Sequence, residues 1–181
     1  ATMQTVGQPK VQVMAERLAA VAPELHVHQK QAFLLADNTA EVLGEVCYDY
    51  IIDAVDTVTA KLALIQYALE RNIPVISSMG TANKLDATKF EVTDISKTHT
   101  CPLARVMRKE CRARGLKDIP VVYSTEAPIP AKAKVEAPAT ASPGRTGSPK
   151  KSVPGSVSFV PGTAGLILAG AVEVVGPVWV R

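Results

Sequence analysis

The spacing of apolar residues predicts that helices and strands alternate along the chain. Apolar residues that recur about every three or four positions are expected in α-helices, and alternating or continuous apolar runs are expected in strands. Helices are predicted at 9–23, 38–46, 57–72 and 101–115. Strands are predicted at 24–29, 50–55, 73–78, 89–96 and 119–126. This alternation is typical of an α/β protein with a mostly parallel sheet flanked by helices.

Finer patterns indicate how these elements are placed. The strands at 50–55 and 73–77 are almost continuously apolar, which predicts that both of their faces are covered, as in a parallel sheet. The segment KFEVTDIS at 89–96 alternates instead, which predicts an antiparallel or mixed strand. Asn38 and Glu41 form a capping-box pattern at the start of the second helix.

Two segments near the C-terminus differ from the rest. Residues 128–156 consist mainly of Pro, Ala, Ser, Lys and Gly, which predicts a flexible loop within the domain. Residues 157–180 carry only Glu173 as a charge. Proline and glycine interrupt this run, and its unbroken part is shorter than the roughly 20 apolar residues that a membrane span needs. We therefore expect a buried terminal helix packed on the sheet, and no integral membrane span.

Composition narrows the class of protein. The chain has 181 residues, 47% of them hydrophobic and 20% charged, with a formal net charge of +3. These values indicate one soluble domain, and the positive charge is too small to indicate nucleic-acid binding by itself. The three cysteines, Cys47, Cys101 and Cys111, form no CxxC pair. This count excludes a disulfide framework and a four-cysteine zinc site, and it favours reduced, cytosolic thiols.

Two aspartates close the strand at 50–55. Ligands of open parallel sheets bind outside the carboxyl ends of the strands, and Asp56 lies at such an end. There a carboxylate can hold Mg²⁺ that bridges nucleotide phosphates, with the Thr57 hydroxyl and amide beside it. The alternative is that Asp56 is the N-cap of the following helix. Asp53 lies three residues earlier and faces the other way, so it is expected to make a structural hydrogen bond.

Other candidate residues carry weaker signals. Lys10 opens the first helix, where its ammonium can reach phosphates at the helix N-terminus or remain solvated. His26 and His28 share one face of a predicted strand, which favours an exposed edge over a metal pair because no third ligand is near. Neither GxGxxG nor GxxxxGK[ST] occurs in the chain, so it carries no phosphate-binding glycine loop.

Several stretches together resemble one family, the tRNA threonylcarbamoyladenosine dehydratases. The resemblance covers about 5–127 and resumes at 155, and it rests on TVGQPKVQVMAERL, YDYIIDAVDTVTAKLALIQYAL, DISKTHTCPLAR and VVYSTE. This family is a branch of the ubiquitin-activating-like adenylyltransferases, which include the thiamine and molybdopterin sulfur-carrier activators. The sulfur-carrier activators commonly have the zinc-binding CxxC pairs that this chain lacks. The resemblance implies a Rossmann-like sheet.

By this resemblance, ATP adenylates the carboxylate of the threonylcarbamoyl group on adenosine 37 of tRNA. The carbamoyl group then closes onto the activated carboxyl and expels AMP. The cofactors implied are ATP and Mg²⁺. The resemblance assigns Lys10 to the phosphates, Asp56 to Mg²⁺ and the reacting nucleotide, and Thr57 to a nucleotide contact. The helix predicted at 101–115 is rich in basic residues. Two interpretations of them remain open, contact with tRNA phosphates and exposure to solvent alone; the residues are Arg105, Arg108, Lys109, Arg112 and Arg114.

The family's strand, glycine-rich loop and N-R-Q motif do not occur in the chain before the resemblance begins. We therefore expect 1–181 to be the C-terminal two-thirds of a single adenylyltransferase domain whose first βα unit is missing, and to bind ATP and turn over poorly. The alternative is a non-catalytic partner or remnant; a dinucleotide-dependent oxidoreductase is disfavoured because no glycine fingerprint is present. Expected partners are tRNA, a second copy of the chain and a sulfur-transfer or carrier protein. The expected location is the cytoplasm, with peripheral membrane association as an addition.

Overall fold

The computed structural model describes residues 2–44, 46–130 and 155–175. The chain forms two compact units, 1–46 and 47–181, and each is described by itself. The prediction of a single domain over 1–181 stays a prediction. Most of the predicted loop at 128–156 and the last residues of the apolar segment 157–180 lie outside the described residues.

The first unit contains two helices, α1 at Lys10–Val21 and α2 at Thr39–Leu43. The predicted strand at 24–29 is wrong: these residues are exposed and have no regular structure. A strand persists where a neighbouring strand pairs with its backbone, and no described strand pairs with this segment. His26 and His28 therefore do not share a strand face.

The predicted capping box at the start of α2 is also wrong, although Asn38 is the N-cap. Its side chain makes no capping hydrogen bond to the helix. The Asn38 Oδ1 instead accepts a hydrogen bond from the Leu35 amide at 2.7 Å, and its amide nitrogen donates to the Phe33 carbonyl at 2.9 Å. Asn38 therefore closes the preceding turn, and its oxygen is no longer free to accept from the first helical turn.

The second unit is built on a four-stranded sheet with the order β1-β2-β4-β3. Its strands are β1 at Ile51–Asp53, β2 at Val75–Ser78, β3 at Phe90–Asp94 and β4 at Pro120–Ser124. β1, β2 and β4 are parallel, and β3 pairs antiparallel with β4. The predicted α/β class with a mostly parallel sheet is confirmed, and so is the prediction of an antiparallel or mixed strand at 89–96.

Helices cover this sheet on its two faces. They are α3 at Val58–Glu70, α4 at Pro102–Ala113 and α5 at Phe159–Val175. α5 packs through Ala164 and Leu168 on Ile76 and Val122, as the predicted terminal helix should. Successive strand residues point to opposite faces, so Asp53 and its β2 partner Ser77 face α3 instead. Ile52 is 49% exposed, so the expectation that both faces of β1 are covered is wrong.

Two helices end in the same hydrogen-bonded motif. After α4, the Leu116 amide donates to the Cys111 carbonyl and the Gly115 amide to the Arg112 carbonyl, with Gly115 at a φ of 70°. This is a Schellman motif, in which a left-handed residue reverses the chain and satisfies the last helical carbonyls. The helix predicted at 101–115 therefore ends just before its last predicted residue, Gly115, where the chain reverses. α3 ends in the same way, with Asn72 at a φ of 55°.

The two described ends of the predicted loop meet at one residue. Asn83 exchanges two hydrogen bonds with Gly155, through its backbone amide at 2.8 Å and its side-chain oxygen at 2.9 Å. The Asn83 carbonyl also accepts from the Ile129 amide at 2.7 Å. Asn83 therefore holds the entry and the exit of the segment together. Among the described helices, none is both long enough and apolar enough to cross a membrane.

Candidate functional site

The carboxyl ends of the three parallel strands lie at one edge of the sheet. β1 leads into the turn with Asp56 and Thr57, β2 leads into Met79 and Gly80, and β4 leads into Thr125 and Glu126. In open α/β sheets this edge is where ligands bind. The structure therefore places the sequence-predicted pair Asp56 and Thr57 at the edge where a nucleotide is expected.

The Asp56 side chain is exposed on the turn between β1 and α3. The N-cap of α3 is Thr57, whose backbone is extended and whose carbonyl accepts the first helical hydrogen bond from the Lys61 amide at 3.0 Å. The alternative that Asp56 is the N-cap is therefore wrong. Within the described part of the chain, neither the Asp56 carboxylate nor the Thr57 hydroxyl makes a hydrogen bond. Both groups remain available to a ligand.

Directly behind this turn lies a buried polar cluster, which we define as Asp53, Lys61 and Ser77. The Lys61 Nζ lies 3.0 Å from the Asp53 Oδ2, and the two side chains are 1% and 0% exposed. The Ser77 hydroxyl donates to the same carboxylate oxygen at 2.5 Å. The second oxygen of Asp53 accepts from the Val55 amide at 3.1 Å. The expectation that Asp53 makes a structural hydrogen bond is confirmed.

Lys61 uses all three of its donors. Besides Asp53, its ammonium donates to the Ser77 hydroxyl at 3.3 Å and to the Ser78 carbonyl at 2.6 Å. Burial lowers the pKa of Lys61 below its ordinary value, and the attraction of Asp53 and, more weakly, of Asp56 opposes that shift. Hydrogen-bond acceptors from β1 and β2 therefore stabilise the charged form of Lys61.

A second buried lysine ties the loop after β2 to the end of β4. The Lys84 Nζ donates to the Ser124 carbonyl at 3.1 Å and to the Glu126 carbonyl at 2.6 Å. The Glu126 carboxylate accepts in return from the Leu85 and Asp86 amides, each at 3.0 Å. This arrangement fixes the loop on the same edge of the sheet as Asp56. Burial lowers the pKa of Lys84.

The carboxylate of Glu126 predicts an acid-sensitive contribution to stability. The Leu85 amide, and after it the Asp86 amide, hold the pKa of Glu126 below its ordinary value of 4.5. A depressed pKa in the folded state stabilises the fold at pH above 4.5, and this contribution is lost as the pH falls through the folded pKa. We expect Glu126→Gln to lower the melting temperature at neutral pH and to approach the wild type at acidic pH. A deficit that stays constant with pH would show that the ionised carboxylate is not the cause.

The predicted basic helix is α4, and its two faces differ. Ala104, Met107 and Cys111 are buried. Arg105, Lys109 and Arg112 are exposed, and their spacing places them on one face. Arg108 is half-buried and donates to the Thr98 carbonyl and hydroxyl at 2.5 and 2.8 Å. Arg114 follows the helix and forms an ion pair with Glu110 at 2.5 Å.

A cleft of about 350 Å³ lies beside α4 and is lined by Arg108, Arg112 and Lys117 among others. Neither Asp56 nor Thr57 lines this cleft. The cleft and the strand-end pair are therefore separate features of the second unit.

The remaining candidates lie in the first unit. Lys10 is the first residue of α1, and its side chain is exposed. Within the described residues, no group of three or more His, Cys, Asp or Glu side chains is placed to hold a metal ion. Within these residues a magnesium ion would find fewer than three such ligands together, and the exposed carboxylate of Asp56 is the candidate. This fits a magnesium ion that takes its other ligands from phosphates and water.

Sequence reasoning missed Lys61 and Lys84. The signal for Lys61 is that it stands on the same helical stripe as the buried Leu64, Ile65 and Ala68, where a charge needs a buried partner. For Lys84 the sequence carries no comparable signal, because its partners are backbone carbonyls about 40 residues away in sequence.

The geometry defines an α/β protein with an open carboxylate at the ligand-binding edge of its sheet, and the comparisons with known proteins specify the family. A sequence profile of the ThiF family matches residues 1–176. The chain belongs to the ThiF family.

Within it, the chain is similar to tRNA threonylcarbamoyladenosine dehydratases. It is 42% identical over 173 residues to that enzyme of Bacillus subtilis, covering 95% of this chain and 67% of the relative. The crystal structure of the E. coli tRNA N6-threonylcarbamoyladenosine dehydratase in complex with AMP matches with a TM-score of 0.78 at 30% identity. The structure of that enzyme in complex with ATP matches with a TM-score of 0.75 at 31% identity. The predicted resemblance is confirmed.

The match covers nearly all of this chain but only part of these relatives. In both structural comparisons the matched region covers 94% of this chain and 65% of the E. coli enzyme. About a third of the E. coli enzyme has no counterpart in the 181 residues.

Proposed function

We propose that these residues belong to an ATP-dependent enzyme that cyclises threonylcarbamoyladenosine at position 37 of tRNA through carboxylate adenylation. The observation that carries the proposal is the exposed Asp56 beside the half-buried Thr57 at the carboxyl end of β1, with the buried polar cluster directly behind them. Similarity to dehydratases that bind ATP and AMP supports it.

The proposed chemistry requires positive charge and alignment. The substrate carboxylate attacks the α-phosphate of ATP and pyrophosphate leaves, although both reacting groups are anionic. Lys10 is assigned to the phosphates, where its exposed ammonium offsets this repulsion. Asp56 orients the reacting nucleotide, and Thr57 supplies a hydroxyl donor beside it. Asp56 is also the proposed ligand of Mg²⁺, which when bound neutralises phosphate charge.

The test is ATP–pyrophosphate exchange by the full translation product of the reading frame, with and without tRNA that carries threonylcarbamoyladenosine. We expect exchange only when the modified tRNA is present, because its carboxylate is the group that is adenylated. Unmodified tRNA is the matched control. Exchange with neither tRNA would favour the alternative, a non-catalytic partner within a dimer of such proteins.

The 181 residues alone are predicted to bind ATP weakly. They contain no glycine-rich loop, so they lack the row of backbone amides that usually cradles nucleotide phosphates. Isothermal titration of this chain with MgATP is expected to show a dissociation constant well above the micromolar range. Micromolar binding would contradict the prediction and would mean that other groups of the chain hold the phosphates.

We also propose that the exposed face of α4, defined by Arg105, Lys109 and Arg112, contacts tRNA phosphates. Replacing Arg105 by glutamate is expected to weaken binding and to lower the slope of log affinity against log salt by about 1 for each lost phosphate contact. Arg71→Glu is the control, because Arg71 is also exposed and the substitution changes the charge equally. Equal effects of the two substitutions would favour a solvated face. Arg108, which is bound to Thr98, remains a weaker candidate.

Other features follow from the same resemblance. A homodimer and a cytoplasmic location are proposed because the resemblance is to dimeric members of this superfamily and to tRNA-modifying relatives. A sulfur-transfer or carrier-protein partner and peripheral membrane association stay predictions.

A further inference from the structure

The buried polar cluster joins the elements that determine where Asp56 and Thr57 lie. Asp53 ends β1, Ser77 lies in β2 directly opposite Asp53 in the register, and Lys61 lies in the first turns of α3. Asp56 and Thr57 form the short connection between β1 and α3. Any shift of α3 relative to the sheet would therefore move both residues.

The hydrogen bonds of the cluster also reach the connection itself. The Val55 amide, next to Asp56 in the chain, donates to the Asp53 Oδ1 at 3.1 Å. On the other side, Lys61 donates to the Ser78 carbonyl at 2.6 Å, where β2 ends at the same edge of the sheet. The connection is therefore anchored both to its own strand and, through α3, to the neighbouring strand.

Stability alone is a poor reason for placing charges here. Desolvating two charges costs about as much as their attraction returns, and well-packed apolar residues of similar volume often serve as well or better. The surroundings are apolar, since Ile51, Leu64, Ile65 and Val75 are all buried. What the charges add is direction: each hydrogen bond fixes an angle as well as a distance, which apolar contacts do not.

We propose that the buried polar cluster positions Asp56 and Thr57 for the nucleotide, with Lys61 as the central positioning residue. This inference rests on the proposed function. Lys61 does not touch the substrate in this scheme; it acts through the turn that carries Asp56. The Asp56 carboxylate also weakly opposes the lowering of the Lys61 pKa by burial. A misplacement of about 1 Å at a reacting group can cost about 10²-fold in rate.

The test compares three variants of the full translation product by NMR. Lys61→Met leaves Asp53 buried without its partner, whereas Asp53→Leu combined with Lys61→Met removes both charges and keeps the volume. Ile65→Val is the matched control, because it is buried on the same helix and lies outside the cluster. The measurements are melting temperature, backbone order parameters of residues 54–57, and chemical-shift changes of the Asp56 and Thr57 amides on addition of MgATP.

The double variant is expected to regain much of the melting temperature that Lys61→Met loses. Its order parameters at 54–57 should nevertheless fall from about 0.85 to below about 0.6, while those in the middle of α3 stay high. The MgATP-dependent shifts of Asp56 and Thr57 should weaken at least about tenfold in apparent affinity, a change of about 1.4 kcal/mol. Ile65→Val should leave the order parameters at 54–57 and the MgATP-dependent shifts unchanged.

A stable double variant with an ordered turn and wild-type MgATP shifts would overturn the proposal, because the cluster would then serve stability alone. If the double variant does not fold, Ser77→Ala decides: it keeps both charges and removes one hydrogen bond, and it should partly loosen the turn. A turn that stays as ordered as in the wild type would contradict the proposal. If the amides of wild-type Asp56 and Thr57 show no chemical-shift change with MgATP, the proposed nucleotide site at this turn is wrong. The order parameters still decide whether the cluster holds the turn in place.

Discussion

Replacing Asp56 by asparagine is expected to lower ATP-dependent cyclisation of modified tRNA by about 10²–10³-fold, the usual cost of removing one group that stabilises charge in a transition state. Asparagine keeps the size and one oxygen of the side chain but removes its negative charge. The exposed position of Asp56, without a hydrogen bond in the described part of the chain, means that the substitution breaks no structural contact. The measurement is single-turnover cyclisation by the full translation product at saturating ATP.

Asp118→Asn provides the matched control for this experiment. Asp118 is also exposed, precedes β4 at the opposite edge of the sheet, and has a φ of 54°, which asparagine adopts readily. Its substitution should leave turnover and melting temperature unchanged. If Asp56→Asn kept full turnover, Asp56 would be neither the magnesium ligand nor the group that orients the nucleotide, and the proposed mechanism would need another carboxylate.

Local sequence patterns were sufficient for the elements that carry their own signals. β2 follows from a continuous apolar run, and the end of α4 follows from Gly115, because glycine adopts the left-handed backbone conformation at little cost. The strand predicted at 24–29 failed because alternation describes a segment's own residues, whereas a strand also needs a neighbour to pair with.

The candidate site likewise has one part that local sequence patterns predict and one part that they do not. Asp56 was predictable because its distance from the strand end is a local property. The buried polar cluster was not, because it depends on the register that sets Asp53 opposite Ser77 and on the rotation of α3 that turns Lys61 toward them. Neither quantity is encoded in a short window of residues. The N-cap of α3 was misplaced by one residue for a related reason: Asp and Thr are both good caps, and only the backbone angles distinguish them.

The second large effect concerns stability. Lys61→Met is expected to lower the free energy of unfolding by about 3–5 kcal/mol, because it leaves the carboxylate of Asp53 buried without its cation. Since a domain is stable by only about 5–15 kcal/mol, this loss is large enough to unfold part of the population at physiological temperature. Equilibrium unfolding in urea at low temperature measures it.

A double-mutant cycle separates the pair from its surroundings. Asp53→Leu alone should cost about as much as Lys61→Met, since either substitution strands one buried charge. The double variant should lose far less than the sum, because apolar pairs of similar volume replace buried ion pairs at little cost. The coupling energy is then large, and it arises from the penalty on the stranded partner more than from attraction within the pair. Additive losses would instead mean that each residue is held by its own hydrogen bonds, Asp53 by Ser77 and Val55 and Lys61 by the Ser78 carbonyl, with little energy in the contact between them.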